Sequence, residues 1–365
     1  MSGVYISFPF CNQKCSFCNF ASGVYTGASR LRYEEQLIQE VEQHHWEWEP
    51  ETLYFGGGTP SLMSDGALRK ITSAVSSARA YSPLFESTLE CAPGTITPEA
   101  AECWRECGIN RVSLGVQSFV DEELRKTGRR HSAAVVEKDI ETLHGAGIRN
   151  INLDLIAGLP LQNRASWNLS LDWIERLNPP HVSVYIFEVD EDSRLGKEVL
   201  TGGCRYGAAD LPDEDLTAEL YESAVERLTR MGIERYEISN FARPGWQSRH
   251  NLKYWQLEPY IGFGLDAHSF DGKYRWSNPD TLQDYLSSAM RERSRQESDV
   301  SEERFFAGLR MTHGIEAKAD EMLRFAEPIR KWRDLGLLNR DGNRLWLSPR
   351  GLLMSNEILQ EFVDV

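Results

Sequence analysis

The stretch that decides the fold is Cys11-Asn-Gln-Lys-Cys15-Ser-Phe-Cys18, which directly follows the short apolar run 4–6 and its extension to Phe10. Iron–sulfur clusters are held by cysteine thiolates, and a cubane of four irons takes four of them. A local set of three leaves one iron open to a substrate or cofactor. A structural zinc ion needs a fourth ligand, yet no cysteine or histidine follows Cys18 before His44. The spacing predicts a four-iron cluster; the alternative is three ordinary structural cysteines.

Length, composition and charge restrict the class of protein. The chain has 365 residues, 41% of them hydrophobic, enough for one large and one smaller domain. We expect no signal peptide and no membrane span, because the start lacks a basic and apolar leader and no run of about 18 apolar residues occurs. Seven cysteines, three of them in a metal-ligating spacing, favour a reducing, cytoplasmic setting. A net charge of −15 argues against general nucleic-acid binding.

Strand-like runs alternate with amphipathic helical segments up to about residue 187. The six strand candidates are residues 4–6, 52–55, 87–91, 111–114, 151–155 and 181–187. Between the first two, Tyr33, Leu37 and Val41 recur at helical spacing. This alternation predicts an α/β fold with a parallel sheet and right-handed crossovers. Six units are too few for a closed eight-stranded barrel.

Polar residues and glycines come where several of these strands end. Gly56-Gly-Gly-Thr-Pro60 follows the second strand, and glycine lets the backbone approach a ligand closely. Glu90 ends the third strand, the fourth runs into Gln117, and the fifth contains Asp154. Arg129 can pair with a carboxylate. Singly, each is an ordinary turn or cap; together they predict a polar ring at the carboxyl ends of the strands, where barrel sites lie.

The pattern changes beyond about residue 190. A helix is expected after Leu211 and a strand over 235–238, followed by an aromatic loop region that holds His250-Asn-Leu-Lys-Tyr254-Trp255. An imidazole can ligate haem iron and aromatic faces can pack on a porphyrin. From spacing alone, a satisfied core histidine beside two aromatics is the favoured alternative. Cys103 and Cys107, four residues apart, are interpreted as core residues rather than as a second metal site.

The last segment, from about Asp299, is predicted to be a small separate domain. Two helical patterns precede a turn at Asp341-Gly342-Asn343 and a second hairpin strand, an order that resembles a winged helix. Winged helices often bind DNA, but this segment has twelve acidic and ten basic residues and hence no basic excess. We therefore expect a structural cover over the barrel.

The CxxxCxxC loop after a first strand resembles the signature of the radical S-adenosylmethionine (SAM) superfamily. The resemblance implies a partial (β/α)6 radical SAM barrel, open on one side, in which Cys11, Cys15 and Cys18 hold a 4Fe-4S cluster whose open iron is chelated by SAM. The cluster and SAM carry the radical chemistry, and the protein positions them. The residues implied for SAM binding are Tyr5, Phe17, Gly57, Gly58, Thr59, Glu90, Gln117, Arg129 and Asp154.

A more specific likeness covers nearly the whole chain. Residues 236–245, HNLKYW at 250–255, 260–264 and 267–269 closely resemble the haem chaperone HemW family. There HNxxYW is the proposed haem motif, which implies His250, Tyr254 and Trp255 as the haem site; His268 is the competing ligand. The implied partners are haem as cargo and recipient haem proteins, membrane-associated ones included, with a homodimer left open and no nucleic acid.

The expected organisation is a core barrel over 1–190, a barrel extension with the HNxxYW motif over 191–298, and an α+β winged-helix-like domain over 299–365. Two positions depart from the family pattern: Ser7 replaces a common histidine, and Ala92 replaces an asparagine. Both put the fine geometry near the cluster in question.

The alternative function is that of a related enzyme, the oxygen-independent coproporphyrinogen III dehydrogenase, which decarboxylates propionate side chains oxidatively. Its cysteine pattern continues as CxxxCxxCxC, whereas Phe20 occupies the last position here. It also carries an N-terminal extension, whereas ten residues precede Cys11. Both features favour a carrier. A radical SAM enzyme acting on an unrelated substrate is the third interpretation.

Overall fold

The computed structural model describes residues 2–78, 86–287 and 294–363. Its first half is built on six parallel strands that pair in chain order. They are β1 (Ser2–Phe8), β2 (Pro50–Gly57), β3 (Glu86–Cys91), β4 (Arg111–Gln117), β5 (Asn150–Ala157) and β6 (His181–Ile186). The predicted six strand–helix units are confirmed, and most strands run a few residues beyond the predicted apolar runs.

Helices connect these strands and cover one face of the sheet. They are α1 (Gly27–Glu42), α2 (Asp65–Ser77), α3 (Pro98–Glu106), α4 (Asp121–Lys126), α5 (Ala133–Gly145) and α6 (Arg164–Leu177), with a 3-10 turn at Pro60–Leu62. Side-chain caps fix several of their starts, as at Ser64, whose hydroxyl accepts from Ala67 N. Their apolar faces bury Leu37, Ile71 and Ile174 completely. Cys103 is part of this buried interior, as expected.

The opposite face of the six strands is polar although it is buried. Alternate residues of a strand point to opposite sides of the sheet, and here one set includes Glu86, Arg111, Asn152 and His181. The Asn152 amide donates to Asp154 Oδ1 at 2.6 Å, and its Oδ1 lies 2.6 Å from His181 Nδ1. Buried polar groups of this kind need partners, so the barrel interior is a hydrogen-bonded network.

The sheet continues at both edges. Beyond β1 lie β9 (Tyr260–Phe263), which is parallel to it, and then the antiparallel β10 (His268–Phe270), β11 (Tyr274–Ser277) and β12 (Gln296–Glu297). Beyond β6 lie the antiparallel β8 (Asn240–Ala242) and β7 (Glu234–Arg235). The helices of this part are α7 (Arg194–Leu200), α8 (Glu214–Arg230), α9 (Arg249–Trp255) and α10 (Leu282–Ser287), with a 3-10 turn at Arg205–Asp210.

The predicted strand over 235–238 is wrong in extent. The ladder between β7 and β8 ends at Arg235, and beyond it Tyr236 N donates to Asn240 O at 3.1 Å, which closes the turn between the two strands. Glu237 instead forms an isolated antiparallel bridge with Met311 in the last domain. Residues 236–238, which were expected to continue the strand, therefore form a turn and a contact with the last domain.

The last domain has the predicted winged-helix order. Its elements are α11 (Val300–Gly308), β13 (Ile315–Glu316), α12 (Ala319–Arg324), α13 (Ala326–Asp334), β14 (Leu338–Asp341), β15 (Arg344–Leu347), α14 (Pro349–Leu353) and α15 (Ser355–Gln360). The three strands form a separate sheet in the order β13-β15-β14. Phe305, Phe325 and Phe362 pack with ring centroids 4.4–5.7 Å apart at the centre of a second hydrophobic core.

Candidate functional site

The cysteine loop lies at the carboxyl end of β1. Backbone hydrogen bonds hold it in place, with Cys11 N donating to Gly23 O at 2.9 Å and Gly23 N to Pro9 O at 2.8 Å. Cys11, Cys15 and Cys18 are all half-buried free thiols. Burial raises the pKa of the Cys11 thiol, and the nearby Cys18 and Cys15 add to the rise, so the three groups are neighbours.

The donor set fits an iron–sulfur cluster, because three neighbouring thiols are the ligands that such clusters use. In the part of the chain that the structure describes, no three metal-ligating side chains already stand in ligand geometry. Cys18 Sγ, for example, lies 3.7 Å from Ser22 Oγ. A cluster would therefore draw the thiols closer together within a loop whose ends are fixed.

The glycine turn after β2 packs directly against this loop. A Cβ atom on Gly58 would lie 2.8 Å from the Pro9 carbonyl carbon and 3.0 Å from Cys11 Sγ, too close for any side chain. Gly57 has φ of +108°, which L side chains rarely adopt. Thr59 is half-buried, and its side chain forms a hydrogen bond with the Cys11 thiol. This hydrogen bond opposes the rise in the pKa of Cys11. The glycines are thus required where the second strand meets the cluster loop.

A row of polar groups faces the same end of the barrel. Tyr54 donates to Glu90 Oε1 at 2.8 Å, and Tyr5 stacks on Tyr54 with centroids 6.1 Å apart. Burial raises the pKa of Glu90 to about 7, the Tyr54 hydrogen bond opposes the rise, and the charge of Asp154 adds to it. Asp154 itself accepts hydrogen bonds from Asn152 and Ser113. The mouth therefore holds two buried carboxyl groups close enough to influence each other.

Two polar atoms near the end of β4 have no hydrogen-bond partner among the residues that the structure describes. Arg129 Nη1 donates to Gly115 O at 2.6 Å, but the buried Arg129 Nε and the buried Gln117 Oε1 are unpaired. An unpaired buried donor or acceptor costs about 1–3 kcal/mol. A bound ligand that offers an acceptor to the Arg129 Nε and a donor to the Gln117 Oε1 would satisfy both atoms. Phe17 lies half-buried between the second and third cysteines.

The HNxxYW motif lies at the other end of the barrel. It forms α9, whose start is held by Glu86 at the beginning of β3: the carboxylate accepts from Arg249 N and His250 N, each at 3.0 Å. A Cβ on Gly3, at the beginning of β1, would lie 3.2 Å from His250 Cε1. Helix α9 therefore closes the amino-terminal ends of the strands and forms the floor of the barrel, opposite the cysteine loop.

His250 is fully satisfied in this position. Its side chain is 1% exposed, Nδ1 lies 2.8 Å from Thr52 Oγ1, and Nε2 lies 2.8 Å from the Tyr254 hydroxyl. Burial lowers the pKa of His250 to about 3, with the Lys253 charge adding to the effect. The ring is thus neutral, and neither nitrogen is free for iron. This arrangement is the one expected of a core histidine whose ring nitrogens both have hydrogen-bond partners. The role of His250 as a haem ligand stays a prediction, and it requires α9 to move.

The other two motif residues also belong to the floor. Tyr254 packs edge-on against Tyr260 with centroids 4.6 Å apart, and Trp255 lies under Arg310 of the last domain at 4.6 Å. The motif was expected in a loop region but forms a helix instead, so His250 and Tyr254 are neighbours one turn apart. His268, by contrast, stands at the barrel mouth with its side chain 66% exposed.

Several residues that line the barrel interior or pack in its floor were not predicted from the sequence patterns. Tyr54, Arg111 and His181 line the interior, and Lys253 is buried between Glu51 and Glu258 at 2.7 and 2.6 Å. A signal was present: polar residues recur at every second position of runs that are otherwise apolar. The segment after β6 was also missed; its Leu195 N donates to Ser16 O at 2.8 Å, so it lies against the cysteine loop.

A partial barrel with a three-cysteine loop after its first strand, a glycine turn pressed against that loop and unpaired polar groups at its mouth defines a radical SAM protein. Comparison with known families agrees. Residues 5–174 match the radical SAM superfamily model, and residues 296–354 match the HemN C-terminal domain. Within the described residues, no helix has the length and apolar character needed to cross a bilayer.

Similarity to curated proteins identifies the family within the radical SAM class. The chain is 32% identical to the heme chaperone HemW of Lactococcus lactis, over 99% of this chain and 97% of that one. It is 32% identical to the Bacillus subtilis HemW, over 100% and 99% of the two chains. The chain therefore belongs to the HemW family. Its fold matches that of coproporphyrinogen III oxidase HemN from Escherichia coli with a TM-score of 0.84, at 20% identity and over 99% and 90% of the two chains.

Proposed function

We propose that this protein is a cytoplasmic haem chaperone, which binds haem and delivers it to haem proteins. The observation that carries the proposal is the extent of the similarity to proteins named heme chaperone HemW. It covers the cysteine loop, the HNxxYW helix and the last domain alike, over 99% of this chain and 97% of the Lactococcus lactis relative. A likeness confined to the cysteine loop would support only a shared cofactor.

In this proposal the barrel mouth binds the cofactors. Cys11, Cys15 and Cys18 hold a 4Fe-4S cluster, and Gly57, Gly58 and Thr59 bring the backbone against a ligand beside it. Glu90 suits an ammonium group. Burial raises the pKa of this carboxyl, and a positive charge beside it would stabilise its ionised form. Gln117 and Arg129 supply the unpaired acceptor and donor, with Tyr5, Asp154 and Phe17 completing the pocket. When bound, the cluster and SAM supply one-electron chemistry.

The second candidate function is oxidative decarboxylation of coproporphyrinogen III. The HemN fold favours it, but at 20% identity that likeness establishes the fold alone. Against it stands Phe20, the residue at the position of a fourth cysteine in the decarboxylase pattern. Its side chain is exposed (64%) beside the cluster loop, where it offers an apolar surface instead of a thiol. The carrier is therefore the better supported function.

Two assays on the anaerobically reconstituted protein separate these candidates. Titration with hemin, followed by the Soret band, should show saturable binding to the full chain. Incubation with coproporphyrinogen III, SAM and a reductant should give no decarboxylated porphyrinogen. Decarboxylation over multiple turnovers would refute the carrier proposal, and an absence of saturable hemin binding would do the same.

The partners in this proposal are recipient haem proteins, membrane-associated ones included, and a second copy of the chain. An acidic surface with a net charge of −15 does not suit nucleic acid. Light scattering with and without hemin tests the dimer. A mass of about 42 kDa at every protein and hemin concentration would rule it out, since the monomer has 41.6 kDa.

A further inference from the structure

This inference rests on the proposed function and concerns the residue that binds haem iron. An axial ligand needs an imidazole nitrogen that is unoccupied and can be reached by a macrocycle about 10 Å across. His181 and His250 are buried with both ring nitrogens engaged. His131 lies against the Val116 carbonyl, and burial lowers its pKa to about 4. His268 differs from these, because its side chain is 66% exposed.

His268 lies near the carboxyl ends of β9 and β1, the end of the barrel at which the cysteine loop follows β1. Strand β9 is parallel to β1, so both strands end at the same edge. The Tyr33 hydroxyl joins the two ends: it donates to Ser7 O at 2.6 Å and accepts from Leu265 N at 2.9 Å. His268 follows three residues after Leu265 as the first residue of β10. The imidazole is thus carried at the edge that bears the cluster ligands.

The backbone that carries His268 is held rigidly. Asn278 donates its side-chain N–H to Gly264 O at 2.6 Å and its backbone N–H to Ala267 O at 2.9 Å. A Cβ on Gly262 would lie 2.4 Å from His268 O, so the two strands approach as closely as glycine permits. A ligand on such a frame loses little conformational freedom when it binds a metal.

A carboxylate stands next to the imidazole. Asp266 Oδ1 lies 3.8 Å from His268 Nε2, and Asp266 has φ of 55°, in the left-handed region. Histidines that ligate metals usually give their second ring N–H to a carboxylate, carbonyl or water, which fixes the ring and makes it a better donor. Asp266 is placed to do this after a small side-chain rotation, and the imidazole as a whole stays largely exposed.

An apolar surface for the macrocycle lies on the same side of the mouth. Phe10 packs edge-on against Tyr33 on one side and Tyr25 on the other, with centroids 5.3 and 5.4 Å apart. This aromatic chain leads from the Leu265 turn to Tyr25 and Val24, which are 41% and 63% exposed. Val24 and Tyr25 are thus neighbouring exposed apolar side chains, of the kind that contact ligands.

We propose that His268, oriented by Asp266, is the haem-iron ligand, and that the cargo lies over the open mouth beside the cluster loop. His250 is then a structural residue of the barrel floor. The geometry separates these two roles, because one imidazole is exposed at the mouth and the other is sealed at the opposite end.

The test is a hemin titration of the full-length protein and four variants: His268→Ala, Asp266→Asn, His250→Gln and the control His45→Ala, an exposed histidine that follows α1. We expect His268→Ala to weaken hemin binding by about tenfold or more and to shift the Soret band. Added imidazole should restore the band. Asp266→Asn keeps the left-handed backbone and should weaken binding less. His45→Ala should match the wild type.

His250→Gln should lower the melting temperature and leave the hemin affinity of the folded protein within a fewfold of the wild type. If His268→Ala binds hemin with wild-type affinity and spectrum, the assignment is wrong. The same conclusion follows if folded His250→Gln alone loses the ligand band. If the wild-type protein binds no hemin, the proposed function itself fails, so the two failures are distinguishable.

Discussion

At the scale of single residues, Glu90 gives the barrel mouth a pH dependence. Burial raises its pKa to about 7, so in the free protein the group is mostly protonated at pH 6 and mostly ionised at pH 7.5. A positively charged ammonium group prefers the ionised form. With a pKa near 7, the ionised fraction rises about eightfold over this range, and SAM affinity should rise with it.

Calorimetric titration of SAM at several pH values measures this dependence. Glu90→Gln, which keeps the Tyr54 contact, should bind SAM weakly and with a much flatter pH profile. Asp154 also has a pKa raised by burial and contributes to the remaining slope. An unchanged affinity and slope in Glu90→Gln would remove Glu90 from the site, and a wild-type affinity that falls between pH 6 and 7.5 would contradict the sign.

The cysteines give a second prediction at this scale. Cys11→Ala, Cys15→Ala and Cys18→Ala should each lose most of the iron and sulfide of the reconstituted protein, because each removes one of three ligands. Cys103→Ala and Cys107→Ala are the matched controls and should keep the iron content, since Cys103 is buried and Cys107 half-buried against the hydrophobic core, away from the cysteine loop. Full iron in any variant of the first group contradicts the ligand set.

The sequence patterns indicated which residues lie at the barrel mouth more accurately than they indicated what surrounds each side chain. The three cysteines, the glycine turn and Glu90 lie where their order along the strands implied. Both ring nitrogens of His250 are engaged by Thr52 and Tyr254, a surrounding that the motif did not indicate, and its role as an iron ligand stays a prediction. Thr52 is distant in the sequence, so no local pattern contains that hydrogen bond.

At the scale of elements, helix α9 is held in the barrel floor by one buried carboxylate. Glu86 is 3% exposed and accepts from Arg249 N, His250 N and, at 3.4 Å, Ser248 Oγ. Burial acts to lower the pKa of Arg111, and the surrounding acidic groups, with Glu86 the largest of them, together outweigh it and raise the pKa. This carboxylate therefore caps a helix and neutralises a buried cation.

Glu86→Ala should lower the free energy of unfolding by about 3 kcal/mol, because it removes the largest favourable charge interaction of the buried Arg111 and two acceptors from the start of α9. Urea denaturation followed by circular dichroism measures the change. Glu122→Ala, at an exposed position in α4, is the control and should change the stability by less than about 0.5 kcal/mol. Equal stability of the two variants would mean that Glu86 does not hold the floor.

The six parallel strands, their helices and the winged-helix order were all predictable from periodicity and spacing. The edge strand β9 and the true extent of β7 were not. Strand β9 has four residues, and its main partner β1 lies more than 250 residues away in the sequence. Such short strands are defined by pairing more than by their own pattern, so local periodicity cannot define their bounds.

At the scale of the whole molecule, the last domain packs beneath the barrel floor. Arg310 lies over the Trp255 ring at 4.6 Å, Thr312 N donates to Tyr236 O at 3.0 Å, and Glu237 bridges to Met311. Burial lowers the pKa of Arg310, and the Glu237 charge opposes this. The domain thus supports the HNxxYW helix from outside, as the expected cover over the barrel.

Arg310→Ala should weaken this contact, because it removes a cation–π pair and leaves Glu237 with less compensation for its charge. We expect a loss of about 2–3 kcal/mol in stability and faster proteolysis between the two domains. Arg330→Ala, at an exposed position in α13, is the matched control. Unchanged stability and proteolysis in Arg310→Ala would show that the two domains are held together elsewhere.

Delivery of haem is the central claim for the whole molecule, and transfer to a recipient tests it most directly. Hemin-loaded protein is mixed with an apo haem protein such as apomyoglobin, and the recipient's Soret band is followed in time. We predict complete transfer at one haem per loaded chain, with the chaperone recovered intact and its iron–sulfur content unchanged. Haem that stays on the loaded chain while free hemin fills the same recipient would contradict the claim.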